Sequence, residues 1–289
     1  MKEKRKNKMV IVFLVLFIIF GFVFVWFRIP YSPLKSQFKK DVLNQIIGNS
    51  IDSSEQYFSF SDFDNFPLVI RRYIDNSGYI GKQKMSYLKM EYKDVNFMQS
   101  QSGPKLKIDY TQYDFVKKPD RLALIDSSMF GIPFEGYDYY IHGIGGMKGV
   151  IAKTVTLFDQ RGAEMDKACL VTFLAESLFA PNILLQDYIS FEEIDDYSVK
   201  ATINYNGISA SGVFTFNDEY EMVSFSTNDR AIIGTDGSLE YVKWSAVCGD
   251  YKVYDNGIKY PTKFKAVWNY PDKDFIYFDG TIHDISYDS

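Results

Sequence analysis

Tyr197-Ser-Val-Lys-Ala-Thr-Ile-Asn-Tyr-Asn-Gly-Ile-Ser-Ala-Ser-Gly-Val-Phe-Thr-Phe-Asn-Asp-Glu-Tyr-Glu-Met-Val-Ser-Phe-Ser-Thr227 is the stretch that decides how this chain folds. It reads as a three-strand meander, Tyr197–Tyr205, Ile208–Phe216 and Glu221–Thr227. Asn206-Gly207 between the first two is the strongest hairpin signal in the chain, because both residues tolerate the left-handed backbone of a two-residue turn.

The same grammar extends outward on both sides. Upstream, Tyr87–Lys93, Lys105–Val116, Arg121–Met129, Phe134–Ile141 and Val150–Phe158 read as strands, punctuated by Ser102-Gly103-Pro104, Gly131 and the glycines from Gly143 to Gly149. Downstream, Tyr241–Val247, Thr262–Tyr270 and Phe275–Tyr287 continue the series, the last two parted by Pro271-Asp272. Aromatic residues make up 17% of the chain, a bias that suits strands. About eleven strands with short connections imply a mainly β (α+β) fold: one large, strongly curled antiparallel sheet or half-barrel with a few helices packed on it.

One segment breaks the period of two. From Asp166 to Ala180, Leu170, Phe173, Leu174 and Leu178 fall at helical spacing, Asp166 is placed to cap, and Pro181 marks the end. Glu176 lies in this helix beside its apolar face. A carboxylate there is solvated, paired with a cation, or used chemically, since an isolated buried charge is costly. Arg230 is the first candidate partner, with Arg121 and Arg161 as others. Glu176, Arg230, Phe173, Leu174 and Leu178 are therefore the candidate ligand-binding or buried-pair residues, and Glu176 is the one candidate acid or base.

The N-terminal part has a different character. Residues 1–8 form a basic tail, and residues 9–28 form an apolar run that covers roughly the 30 Å hydrocarbon layer as a helix. The run exceeds a usual signal-peptide core, and no small-residue cleavage site follows Trp26, so it reads as an uncleaved signal anchor. A long signal peptide cut at an atypical site is the alternative. Lysines on the N-terminal side place that end in the cytoplasm and the body outside it. Residues 29–60 supply a juxtamembrane helix from Pro33 to Ser50, with Leu34, Phe38, Val42, Ile46 and Ile47 along one face, then a polar connector. Another short helix follows at Pro67–Tyr73. Residues 61–289 are expected to be a single extracytoplasmic β-rich domain.

Charge and composition exclude some classes of function. Residues 1–40 carry nine basic side chains and one acid, so of the net −5 the remainder holds −13. Such a body repels phosphate backbones, and nucleic acid is not an expected partner. The cluster His142-Gly-Ile-Gly-Gly-Met-Lys-Gly149 misses the dinucleotide fingerprint, since Lys148 stands in the last glycine's place and a strand follows; a hairpin loop explains it better. His142, His283, Cys169 and Cys248 lack zinc-site spacing, and no metal or cofactor is expected. The two cysteines are either one disulfide or two buried hydrophobes. Adjacent carboxylates at Glu164/Asp166, Glu192/Glu193 and Asp195/Asp196 read mainly as solvated loops.

Taken together, several motifs resemble an uncharacterised bacterial domain-of-unknown-function family. They are Phe66-Pro67 with Arg72-Tyr73, Phe134-Glu135-Gly136-Tyr137-Asp138, and Gly143 to Met147. The series continues with Gly162-Ala163-Glu164-Met165-Asp166, Phe173-Leu174-Ala175-Glu176 with Pro181, and Asn228-Asp229-Arg230. The resemblance runs from Phe66 to the C-terminus. It departs from the family's Arg-Tyr-Leu-Ala-Glu helix pattern, with Thr172 and Phe173 in the first two places. It implies a grouping and no mechanism. In architecture the expected fold is similar to the bacterial lipoprotein-carrier fold, which implies an apolar cavity for acyl chains. The leading expectation is a membrane-anchored protein that holds a lipid, acyl chain or other hydrophobic ligand. A cell-envelope hydrolase using Glu176, or a scaffold docking a membrane partner, is the alternative.

Overall fold

The computed structural model describes residues 2–49, 56–234 and 236–288. Among the described residues, four α-helices and fifteen strands succeed one another. Helices α1 (Lys2–Arg28), α2 (Pro33–Asn49) and α3 (Leu68–Asn76) come first. Six strands follow: β1 (Tyr87–Met98), β2 (Lys105–Phe115), β3 (Arg121–Met129), β4 (Ile132–Ile141), β5 (Ile144–Ile151) and β6 (Val155–Arg161). After α4 (Ala163–Glu176) come β7 (Ile189–Asp195), β8 (Ser198–Tyr205), β9 (Ile208–Phe216) and β10 (Met222–Thr227). The short pair β11 (Ala231–Ile233) and β12 (Leu239–Tyr241) precedes β13 (Lys243–Val253), β14 (Lys259–Asn269) and β15 (Asp274–Tyr287).

Thirteen strands form one antiparallel sheet in the order β6-β5-β4-β3-β2-β1-β15-β14-β13-β10-β9-β8-β7, and β11 pairs only with β12. The sheet is not closed: β6 and β7 are its edges. The meander stands where its sequence puts it. Tyr205 faces Ile208 across a turn in which Asn206 and Gly207 have φ of 49° and 79°. Val199, Ala201 and Ile203 are buried while their neighbours are not, the period of two that a half-wet strand requires.

The strand count exceeds eleven by four: the glycine cluster is a strand and not a loop, and β7, β11 and β12 add three more. Only His142 and Gly143 turn; Gly145, Gly146 and Gly149 lie within β5. A Cβ at Gly146 would stand 2.5 Å from the Tyr139 ring, and one at Gly149 would stand 2.3 Å from the Phe158 ring. At Gly145 it would meet the Met165 carbonyl at 2.8 Å. These glycines exist to let rings and helix α4 lie directly on the backbone. The segment Val150–Phe158 is likewise two strands with a turn at residues 152–154, and the acidic run Glu192–Asp195 belongs to edge strand β7.

Helix α4 packs on β5 and on β8–β9, so the sheet wraps around it from both wings. The helix begins at Ala163, earlier than Asp166. Gly162, with φ of 115°, turns the chain out of β6, and Asp166 instead accepts the Gly145 N–H at 2.6 Å. After Glu176 the chain tightens into two 3-10 turns, Ser177–Phe179 and Pro181–Ile183. Three tyrosines hold this end, Tyr73 and Tyr79 buried and Tyr287 half-buried. The Tyr73 hydroxyl donates to the Leu178 carbonyl at 3.1 Å, and those of Tyr79 and Tyr287 donate to the Phe179 carbonyl at 3.1 and 2.8 Å.

Helix α2 lies on the opposite, convex face. Leu34, Phe38 and Val42 pack against Phe115, Leu122, Tyr137 and Val150. Ile47 points away and is exposed. Lys35 pairs with Asp126 at 2.5 Å, and the Tyr137 hydroxyl donates to Asp41 at 2.9 Å. The polar connector expected at residues 50–55 lies outside the described residues. The β domain begins by Tyr57, which bridges Gln83, with Phe58 in the core.

Helix α1 is long and apolar enough to cross a membrane, with a mean hydropathy of 3.2 in its most apolar window. Its C-terminal end is tied to the sheet. Lys153, buried in the β5–β6 turn, donates through Nζ to the carbonyls of Trp26 (2.7 Å), Ile29 (2.6 Å) and Tyr31 (3.2 Å). An ammonium suits the unpaired carbonyls at a helix C-terminus. The turns at 99–104, 130–131, 152–154 and 270–273 share that end of the sheet. The register fixes this: Met98 faces Lys105, Ile108 faces Ser127, Phe134 faces Ile151, and Phe97 faces Phe278.

Candidate functional site

The concave face of the sheet, α4 and the β11–β12 hairpin enclose a cavity of about 180 Å³. Its walls are aromatic and aliphatic: Tyr92, Phe97, Trp244, Phe264, Trp268 and Phe278 from the sheet, Met165 and Ala168 from α4, and Ile232 and Ile233 from β11. It reaches the surface beside exposed Gln99 and half-buried Tyr277. The hairpin is tied over it by Gln160, whose Nε2 donates to the carbonyls of Ile233 and Gly234, both at 2.9 Å.

The inner end of the cavity is polar. Strand alternation puts Tyr110, Gln112 and Asp114 on the inward face of β2, and Arg121 of β3 stands opposite Asp114. Arg121 donates from Nε to Glu176 at 2.8 Å, from Nη1 to Asp138 at 2.8 Å, and from Nη2 to the Tyr110 hydroxyl at 2.6 Å. Nη2 also reaches Gln112 Oε1 at 3.2 Å and Glu176 Oε1 at 3.4 Å. Gln112 in turn donates to Glu176 at 2.7 Å and to Asp114 at 2.6 Å. Arg121, Glu176, Asp114 and Gln112 are all buried.

Burial sets the protonation of this cluster. It raises the Asp114 carboxyl well above the usual range, and the neighbouring Glu176 charge raises it further. It raises Glu176 as well, against the opposing pull of Arg121's charge and hydrogen bonds. Burial works against the charge on Arg121, but Glu176, Tyr110, Asp138 and Asp114 outweigh it, and the guanidinium is held more firmly than usual. Asp114 is thus the member whose ionisation burial opposes most, and its Oδ1 has no hydrogen-bond partner.

Arg230 also faces the cavity without pairing Glu176. Its Nη1 donates to the Ala168 carbonyl at 2.8 Å and to Thr172 Oγ1, and the guanidinium lies 4.8 Å from the Trp244 ring and 5.8 Å from the Trp268 ring. Its Nε is buried without a partner. Thr172, which departs from the family's helix pattern, is thus an anchor for this arginine. Phe173 and Leu174 on α4, and Leu178 in the turn after it, are buried in the core and do not line the cavity. Arg161 pairs Asp159 at the surface.

Cys169 and Cys248 are buried and free, and burial raises both thiols well above their usual range. Neither is poised as a nucleophile. His142 is exposed in the β4–β5 turn, 3.5 Å from Asp120. Among the described residues, no three His, Cys, Asp or Glu side chains are arranged to hold a metal ion. Sequence reasoning missed Tyr110, Gln112, Asp114 and Asp138. The signal was present in β2, where three polar residues recur at alternate positions opposite Tyr113 and Phe115.

Fold and site together define a class: an open antiparallel half-barrel, wrapped around one helix and an aromatic cavity with a polar end, carried behind a helix able to cross a membrane. The chain belongs to the family of unknown function DUF6544, whose model matches residues 56–280. A comparison with curated proteins finds no match. Among solved structures the chain is similar to an outer membrane lipoprotein-sorting protein domain from Vibrio parahaemolyticus, at 11% identity and a TM-score of 0.42 over 76% of this chain and 90% of that one. It is also similar to a DUF1329 family protein from Desulfovibrio piger, at 12% identity and a TM-score of 0.38 over 79% of this chain and 92% of that one.

Proposed function

We propose that this protein is a membrane-anchored binding protein whose concave cavity holds a hydrophobic ligand, a lipid or an acyl chain. The observation that carries the reading is the aromatic cavity itself, which lies beneath α4 in the hollow of the sheet. A cavity of roughly 150 Å³ lined by apolar side chains takes up benzene. The present one has room for a ring or a length of chain, with Arg230, Asp138 and the Arg121 cluster to meet a polar group at its end. α1 anchors the protein, the basic tail stays in the cytoplasm, and the β domain stands outside.

The pairing of Glu176 argues against a hydrolytic role for it. Both of its oxygens are engaged by Arg121, and one also by Gln112, which is the arrangement of a structural counter-ion. Native mass spectrometry of the full chain extracted in detergent, with lipid analysis of the extract, tests the ligand. A stoichiometric lipid or acyl adduct is expected, and a protein that leaves the membrane and the detergent empty overturns the reading. Protease access in intact and permeabilised cells tests the orientation.

A further inference from the structure

The end of the sheet that holds Lys153 also carries an apolar edge that the fold does not use. Phe130, at the tip of the β3–β4 turn, is 99% exposed, and Ile132, Val155 and Leu157 beside it are exposed as well. Phe130 and Gly131 have φ of 53° and 81°, the tight turn in which Asn-Gly or Gly-Gly is usual. A phenylalanine there accepts a disfavoured backbone region and gains no packing.

Helix α1 says what this edge faces. Lys153 clasps the last carbonyls of α1 and the turn after it. From there α2 climbs the convex face away from that end, with Lys35 at Asp126 and Asp41 further along at Tyr137. The apolar span of α1 therefore lies on the side of the sheet where the turns at 99–104, 130–131 and 152–154 sit. With strands about 4.8 Å apart, the cavity mouth at Gln99 is roughly 20 Å along the same edge from the Lys153 clasp.

We infer that this edge, tipped by Phe130, seats in the surface of the bilayer that α1 crosses, and holds the mouth of the cavity at headgroup level. A ligand then moves between bilayer and cavity without crossing water. The route rests on the ligand reading given above; the seating does not.

The test uses the full chain in vesicles of phosphatidylethanolamine and phosphatidylglycerol whose acyl chains carry a spin-label quencher. Phe130→Cys is labelled with an environment-sensitive fluorophore, the native cysteines being buried. Lys117→Cys, exposed in the β2–β3 turn at the opposite end, is the reference. Strong quenching and a blue shift at 130 with neither at 117 is the expected result. Equal, weak quenching at both sites overturns the seating, even if the cavity carries lipid. In a second measurement Phe130→Asp should slow exchange of a fluorescent phospholipid between vesicles and protein several-fold with an unchanged Tm. An unchanged rate overturns the route through this edge. Quenching at 130 in a protein that yields no bound lipid supports the seating and removes the ligand reading alone.

Discussion

Glu176 and Arg121, fifty-five residues apart, meet at 2.8 Å inside the half-barrel with both side chains buried. The pair joins the last turn of α4 to the first residue of β3, and so couples the central helix to the sheet that wraps it. Removing Arg121 leaves Glu176 buried without its cation, and removing Glu176 leaves Arg121 only Asp138 and Asp114 for its charge; breaking a buried pair of this kind costs roughly 3–5 kcal/mol. Glu176→Leu and Arg121→Met are each expected to destabilise the full chain by about that much in chemical denaturation. The double variant should lose clearly less than the sum of the two. Additive losses would mean that the pair is not coupled.

Asp114 makes the stability of the protein pH-dependent in an unusual direction. A carboxyl whose folded pKa is raised contributes stability that is fully present below its unfolded pKa and is lost as pH rises through the folded value. Burial raises Asp114 in this way. The stability of wild type relative to Asp114→Asn should therefore fall as pH rises above the ordinary carboxylate range. Denaturation midpoints of the two proteins across pH 4 to 8 measure it, at an ionic strength held constant. Parallel curves would show that the carboxyl is ionised throughout.

Gly145→Ala should act on the helix. Its new methyl would stand 2.8 Å from the Met165 carbonyl and 3.0 Å from Cys169 Sγ, atoms that move only if α4 lifts off β5. Overpacking of this kind costs about 1–3 kcal/mol. Gly249→Ala, where a Cβ meets nothing within 4 Å and the backbone is not left-handed, is expected to cost less and to leave the α4 amides protected from hydrogen exchange.

Arg230→Ala removes a guanidinium from between two of the three tryptophans. Loss of such a contact is worth about 0.5–2 kcal/mol, and the freed indoles report it directly. Emission from Trp244 and Trp268 should shift while that from Trp26 does not. Retention of a bound hydrophobic ligand should weaken. Unchanged emission in single-tryptophan versions would show that the stack does not persist in solution.

The meander Tyr197–Thr227 was legible because each of its strands has one wet and one dry face, and Asn206-Gly207 states the turn outright. Where both faces are covered the alternation disappears. Strand β5 was hidden for that reason: its glycines respond to Phe158, Tyr139 and α4, none of them local. The apolar stripe of α4 and Glu176 could be read, but its partner could not. Arg121, Arg161 and Arg230 are equivalent in one dimension, and only the register of β2 against β3 brings the first of them under the helix. The apolar helix α1 needed nothing beyond its own composition, and its clasp by Lys153 had no sequence signal at all.

A half-barrel that stays open keeps two unpaired strand edges, β6 and β7. Strand β7 bears Glu192, Glu193 and Asp195, all exposed. Two such edges approaching each other bring like charges face to face, which is how a bare strand is kept from recruiting its twin. The acidic strip thus works as a guard on the open edge, disfavouring strand-to-strand pairing between two copies of the sheet.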